Sequence, residues 1–476
     1  MDYLYRFRSL KSIFEYKELE NLSIYFAKPE ELNDQMEDYM NIVWQGDEIA
    51  FRNLFKHYTY ALFHWINDMY YYMDKSEHIN TNQVPIYIKK YIEQSADYNG
   101  IYSELYHTPF LYEFMSNIPK LMSDSNKKYT IDEILYIFKY LHSFIFYTAE
   151  IIIRKNNDNV NLLDNINYKN MYESLKYNIS KNSFLLNLIN GIYTKNELNE
   201  EIIKVEAAIK LSQKMLKDEF KDNDNFNINA VTYEFPDLYF KQIKRLLYNN
   251  HCVTCFSKTY QNEPMWAHYA NNENGICLKF KIQNKNNRSY LNINSICNTF
   301  DENGQIIYKK IYYPHELIKV NYSNIYPEID FFTSLGGLNE IVIKDFWMSN
   351  YDKTKQSKCL EKYSNINEWR KQYQKKANEY ICTKSKNWSY EEEYRTFLNR
   401  LPYPEYEDKD NRMANYNFED LEAIIFGRKV SIENKRKIKE MIDVHCKNTN
   451  RSDFKFYDLY YSAIANELKL KPAIIY

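Results

Sequence analysis

Two textures alternate along the chain. In the first forty residues and again from about residue 250, apolar and polar positions alternate every second residue, the period of a strand. Between them, long stretches repeat apolar positions every three to four residues, the period of a helix. DYLYRFRSL (2–10) predicts a strand, KSIFEYKELE (11–20) a helix, and LSIYFAKP a short strand closed by Pro29, followed by the polar turn EELNDQMED. From Asp47 to Asn249, AFRNLFKHYTYALFHWINDMYYYM, IDEILYIFKYLHSFIFYTAEIIIRK and ELNEEIIKVEAAIKLSQKMLKDEF have helical periodicity, joined by links such as KNNDNVNLLDNINYKN. No repeat period emerges, so a solenoid is unsupported.

Strand texture returns at HCVTCFSK, GICLKFKI, IIYKKIYYP and LIKVNYS. A basic helix (EWRKQYQKKANEYICTKSKNW), the strands EEEYRTFLNR and LEAIIFG, the amphipathic helix IENKRKIKEMIDVHCK and a strand-rich end (DFKFYDLYYS, ELKLKPAIIY) complete the pattern. The expected fold is α+β, a mixed sheet core built from both chain ends with a large inserted all-helical domain. The expected bounds are 1–46 and 250–435 for the two parts of the core, 47–249 for the insertion and 436–476 for a C-terminal helix and strand tail. An insertion of that size is a natural place for self-association or a regulatory partner.

Composition narrows the picture. A length of 476 residues exceeds one average domain, and 45% hydrophobic with 26% charged residues is ordinary for a folded soluble protein. The formal charge of −2 supplies no bulk field for a polyanion, so a nucleic-acid contact needs a local patch. Tyr is frequent (48) and Gly scarce (8), a bias typical of an AT-rich bacterial genome and weak evidence of function. Seven cysteines without regular spacing fit a reducing cytoplasm. Ile134 to Ile153 is the most apolar run, but Lys139, His142 and Glu150 interrupt it, so a buried amphipathic helix is expected rather than a membrane span.

Three constellations carry candidate chemistry. In NWSYEEEYRTFL, strand alternation puts Glu391, Glu393 and Arg395 on one face, which either meets solvent or lines a cleft, because a dry core does not hold unpaired charges. In CFSKTYQNEPMWAHY, Ser257 ends a strand, Trp266 and Tyr269 offer flat faces for stacking a ring, and His268 offers a donor or base; the plain alternative is a satisfied interior histidine. In LYRFRSL, Arg6 and Arg8 share a face, suited to phosphate or carboxylate and equally to salt bridges. Other signals fail: Cys252 and Cys255 form one C-x-x-C without a second pair, and no phosphate-loop, dinucleotide, G-x-S-x-G or H-E-x-x-H motif is present, so no metal is expected.

LYRFRSL, IYFAKPEELNDQMED, VTCFSK, MWAHYANNENGICLKF, KSKNWSYEEEYR and LEAIIFG together resemble a bacterial family known as domain of unknown function 2971, with departures at Ala27 and Gln35. The order of an early strand arginine, a strand ending in serine and a final E-x-E strand is also similar to the layout of ADP-ribosyltransferases. That second resemblance implies an enzyme consuming NAD by ADP-ribosyl transfer or glycohydrolysis, in a toxin or antiviral-defence setting, with a nucleic-acid or protein acceptor. It implies Glu393 on the nicotinamide ribose, Glu391 assisting the acceptor, Arg6 or Arg8 on the pyrophosphate, and Ser257 shaping the nicotinamide site, with Trp266, His268, Tyr269 and Arg395 around the ligand. The alternatives are a binding protein that senses a nucleotide or another ligand, such as a peptide, in the same pocket, and a metal-dependent nuclease built on Glu391, Glu393 and Asp34.

Overall fold

The computed structural model describes residues 2–37, 39–74, 84–86, 109–156, 183–194, 196–207, 230–248, 251–300, 306–398 and 409–475. Its strands in chain order are β1 (Tyr3–Ser9), β2 (Ser23–Tyr25), β3 (Asn41–Trp44), β4 (Tyr129–Thr130), β5 (Val253–Ser257), β6 (Gly275–Lys281), β7 (Gln283–Lys285), β8 (Arg288–Phe300), β9 (Ile306–Lys319), β10 (Asn321–Tyr322), β11 (Glu328–Asp330), β12 (Thr383–Lys384), β13 (Glu393–Phe397), β14 (Met413–Tyr416), β15 (Leu421–Phe426), β16 (Lys455–Ser462) and β17 (Glu467–Pro472). The chain divides into two compact units: Met1–Tyr39 with Asn249–Pro327 and Lys375–Tyr476, and Met40–Tyr248 with Glu328–Gln374.

The first unit is built on a mixed sheet in the order β17-β16-β15-β6-β1-β5-β13-β9-β8-β14-β2, with β7 beside β8. Alternation along β1 sends Leu4 into one core and Phe7 into another on the opposite face. On β6, Ile276, Leu278 and Phe280 join the first core and Cys277 the second. On β15 a register shift between Leu421 and Ala423 lets Leu421, Ile424 and Phe426 all point into the first core, a parity that an unbroken strand forbids. The helix Ile432–Thr449, capped by the Ser431 side chain, buries Ile438 and Ile442 in the first core.

The other face is covered by the helix Glu263–Tyr269, which turns the sequence MWAHY into an element with an inside and an outside. Asn262 caps it by accepting from the Met265 amide, and Pro264 occupies its first turn. Met265 and Trp266 point inward, while His268 is exposed and Tyr269 half-buried. The chain then leaves through Asn271, Asn272 and Glu273, all with left-handed φ, and reaches Gly275, where a Cβ would lie 2.5 Å from the Arg8 carbonyl oxygen and 2.8 Å from that of Ala270.

The second unit holds the helices Glu48–Asp74, Pro109–Asp124, Ile131–Asn156, Ser183–Ile189 and Phe235–Ile243. Aromatic contacts join them, including Phe55 on Phe138 at 4.4 Å between centroids. Ile131–Asn156 contains the apolar run and buries Ile134, Ile137, Phe138, Leu141 and Ile145. No described helix is long and apolar enough to cross a membrane.

The α+β class is as expected, but the second unit is not purely helical among its described residues. It carries a small sheet in the order β11-β3-β4, and the segment Glu328–Gln374 belongs to it. Residues 436–476 form part of the first unit, since β16 extends the main sheet in parallel beside β15. The predicted link KNNDNVNLLDNINYKN and the helical reading from residue 208 to 220 fall almost wholly outside the described residues.

Candidate active site

The site arises where the main sheet opens. On the side facing β1, strand β5 is tied at both ends: Ser257 registers with Tyr5, and Val253 exchanges two backbone hydrogen bonds of 2.8 Å with Ala27. Between these ties β1 and β5 diverge, although β1 stays paired to β6 along its whole length. Arg6 stands in the opening. Its Nη1 donates to the Thr254 hydroxyl and, at 3.1 Å, to the Cys255 carbonyl; Nη2 donates to the Tyr25 carbonyl at 3.3 Å. A cleft of about 920 Å³ follows this opening, lined from one face by Arg6, Arg8 and Tyr25 and from the other by Tyr5, Tyr269 and Glu391.

Arg6 has no ion pair of its own among the described residues; the acid acting on it, Glu18, is paired to Arg8. Arg6 is 7% exposed, its acceptors among the described residues are a hydroxyl and two carbonyls, all neutral, and its Nε has no partner among them. Burial, with the nearby Arg8 charge, lowers its pKa to about 10. A buried guanidinium without a counter-ion is costly, and an anion in the cleft would offset that cost. Arg8 differs: it forms a forked pair with the buried Glu18, so for this residue the salt-bridge alternative describes the structure.

Across the cleft lies a buried network of five charges: Glu37, Lys384, Glu391, Glu393 and Arg395. Arg395 is 1% exposed and spends all five donors, on Glu393 through Nε (2.6 Å) and Nη2 (3.2 Å), on Glu37 through Nη1 (2.9 Å) and Nη2, and on the Ile381 carbonyl (2.7 Å). Lys384 Nζ lies 2.7 Å from Glu391, 3.3 Å from Glu393 and 3.9 Å from Glu37. Tyr269 donates to the other Glu391 oxygen at 2.6 Å. The Glu393 amide donates to the Tyr322 hydroxyl at 2.8 Å.

The two carboxyls are driven apart. For Glu391, burial outweighs Lys384, and the neighbouring Glu393 charge adds to it, so its pKa is raised. For Glu393, burial pushes the same way but Arg395 and Lys384 prevail, holding it at about 2. With three acids and two bases, the network is neutral when one acid carries a proton, and Glu391 is the acid whose surroundings favour that. A pair split in this way can divide acid–base work between a proton carrier and a permanent anion.

The sequence-predicted residues are partly brought together. Arg6, Arg8, Ser257, His268, Tyr269, Glu391, Glu393 and Arg395 line one cleft. Tyr5, Ser257 and Glu393 register side by side across three strands, placing the Tyr5 backbone about 10 Å from that of Glu393. Ser257 is buried and bonds its own turn at Thr259. Trp266 lies outside the lining: it is fully buried, edge-on to Phe7 at 5.1 Å, and its indole donates to the Tyr260 carbonyl at 2.7 Å. The Glu391–Glu393 face is buried rather than exposed, and Glu391 belongs to a 3₁₀ turn, separated from β13 by Glu392 with φ of 43°. Asp34 is buried outside this network and accepts from the Met36 amide.

Sequence reasoning missed Lys384 and Glu37. Lys384 sits in a basic, helical-looking run and enters the site because β12 registers with β10. Glu37 sits in a polar turn and arrives from 358 residues away to meet Arg395. The only signal for Lys384 was its place in KSKNWSYEEEYR, a motif quoted for the family resemblance.

Residues 265–396 match a family model described as protein of unknown function (DUF2971). That span includes Lys384, Glu391, Glu393 and Arg395, and it bears out the family resemblance over those residues; Arg6, Glu37 and Ser257 lie before it. No curated protein and no solved structure matches the chain.

Proposed function

We propose that the cleft binds NAD and that its carboxyl pair cleaves the nicotinamide–ribose bond, with transfer of ADP-ribose to an acceptor or to water. One observation carries this reading: a buried arginine with no ion-pair partner among the described residues and a carboxyl pair in opposed electrostatic surroundings line the same cleft. Arg6 pairs with the pyrophosphate. The bond's electron pair leaves with nicotinamide, and the oxocarbenium-like ribose forms beside the ionised Glu393, whose charge stabilises it. The acceptor hydroxyl or water then adds at the ribose carbon and gives its proton to the Glu391 side of the network when that carboxyl is ionised. Tyr269, in the cleft lining, stacks against the leaving ring in this reading, a role that Trp266, buried outside the lining, does not share. The toxin or defence setting rests on the ADP-ribosyltransferase resemblance alone.

A second reading, ligand binding without chemistry, is favoured by one observation: both Glu393 oxygens are already engaged by Arg395, and Lys384 also reaches one of them. Nicotinamide release from NAD by the purified protein separates the two, run beside Glu393→Gln and Glu391→Gln. Release that falls at least a hundredfold in Glu393→Gln while NAD still raises the melting temperature supports the enzyme. NAD that raises the melting temperature without any release supports the binding protein. No release and no thermal shift overturns both.

A further inference from the structure

Resting on that reading, we infer that Glu37 is a specificity-determining residue of the cleft. It gives the buried network one acid more than its bases, so the cleft takes a zwitterion, with the anion on Arg6 and the cation beside the carboxyls. Among nicotinamide nucleotides that ligand is the oxidised form, NAD, whose ring is positively charged. The reduced form, NADH, has a neutral ring but nearly the same shape and the same pyrophosphate, so the network's charge is what tells the two apart.

The charge count follows from contacts. Lys384 Nζ donates to Glu391 at 2.7 Å and to Glu393 at 3.3 Å, while Arg395 serves Glu393 and, through Nη1 at 2.9 Å and Nη2, Glu37. Without Glu37, two acids would meet two bases. The other titratable groups facing this centre are Cys255 from β5, Tyr322 from β10, Tyr326, Tyr269 from the helix Glu263–Tyr269 and Tyr390 from the 3₁₀ turn. Burial raises the pKa of each, so they stay uncharged. A positive ring arriving beside Glu391 therefore meets one net negative charge, or displaces the one proton that offsets it. In a buried network a unit charge acts far more strongly than in water.

The two poles stand on either side of β5. Arg6, from β1, donates to the Cys255 carbonyl at 3.1 Å, and Glu393, on β13, registers with Ser257. Beside Arg6, the Tyr5 backbone is two strand spacings from that of Glu393, roughly 10 Å. The phosphates and the ring of a nicotinamide nucleotide are likewise set apart, by one ribose. Arg6 meets the pyrophosphate of either redox form, so it sets affinity and not preference.

The test is calorimetric binding of NAD and of NADH to the wild type, Glu37→Gln, Glu391→Gln and Arg6→Met. It is run at about pH 8, where an ordinary imidazole is uncharged, with nicotinamide release followed in the same samples. The wild type is expected to bind NAD about tenfold or more tighter than NADH, and Glu37→Gln to bring that ratio to about threefold or less by weakening NAD. Glu391→Gln removes the same charge while leaving both Arg395 carboxylates in place, so it should lower the ratio likewise. Arg6→Met should weaken both forms by the same factor and leave the ratio as it is. Equal wild-type affinities, or a ratio that survives in Glu37→Gln (in Glu391→Gln, should the first variant not fold), overturn the role of Glu37 and leave the cleft a nucleotide site. A ratio that falls as expected without any nicotinamide release keeps the charge selectivity and overturns the cleavage reading. Binding of neither form overturns both.

Discussion

Tyr269 and Glu391 are 122 residues apart in sequence, yet the tyrosine hydroxyl donates to the glutamate at 2.6 Å across the cleft. The bond joins the helix that closes one face of the sheet to the turn that delivers the carboxyl pair. It also favours the charged form of Glu391, opposing the burial that raises its pKa. Tyr269→Phe should therefore push the Glu391 titration further up, at a stability cost of about 1 kcal/mol, the usual net value of one hydrogen bond. Carboxyl NMR against pH and urea unfolding check the two parts; a Glu391 titration that falls would contradict this account.

Arg6 yields an unusual stability prediction. Because no carboxylate pairs with it among the described residues, and the nearby Glu18 keeps its own partner Arg8, replacing Arg6 with Met removes a desolvation cost and breaks no ion pair. The melting temperature of the ligand-free protein should be retained or rise. Affinity for NAD or ADP-ribose, read by calorimetry, should fall tenfold or more. Arg8→Met should do the reverse, because it strips the counter-ion from the buried Glu18 and lowers the melting temperature. Equal effects from the two substitutions would remove the case for an anion site at Arg6.

The pH dependence follows from opposite shifts. Glu393 is held at about 2, below its unfolded value near 4, so its contribution is complete above about pH 4 and is lost as the pH falls towards 2. Glu391 is raised, so its contribution is complete below about pH 4 and is lost as the pH climbs through its folded-state value. Stability measured by urea unfolding should thus fall on the acid side, with a flatter acid limb in Glu393→Gln. The loss above pH 4 should shrink in Glu391→Gln. Identical profiles in both variants would show that neither carboxyl titrates as its surroundings require.

Much of this arrangement was legible in the sequence, for a physical reason. Strand periodicity located β1, β5, β6, β13 and β15, and the alternation of Arg6 with Phe7 reports two faces that are both covered. What alternation cannot express is a gap. The divergence of β1 from β5 depends on a tie between Val253 and Ala27, residues 226 positions apart, and local patterning is silent about it. The same holds for charge: Glu391, Glu393 and Arg395 look like a solvated face until Glu37 and Lys384 arrive to balance them. The helix Glu263–Tyr269 was hidden differently, since seven residues are too few to show helical periodicity and MWAHY reads as one aromatic cluster.

That cluster gives the last prediction, because the helix sorts its aromatics into two populations. Trp266 is fully buried against Phe7, with its indole nitrogen satisfied by the Tyr260 carbonyl, whereas His268 is exposed at the cleft, with its ring 6.4 Å from that of Tyr390. Trp266→Ala should cost about 3–5 kcal/mol, through the lost ring and the cavity it leaves. Trp266→Phe should recover much of the packing while leaving the Tyr260 carbonyl without its indole donor. His268→Ala should change unfolding free energy by less than about 0.5 kcal/mol, as expected for an exposed side chain without buried partners. If His268 contacts the ligand, its removal lowers nucleotide affinity at constant stability, the signature Trp266→Phe should lack. Urea unfolding and nucleotide titration on the three variants separate core from site, and a stability loss in His268→Ala matching that of Trp266→Ala would erase the distinction.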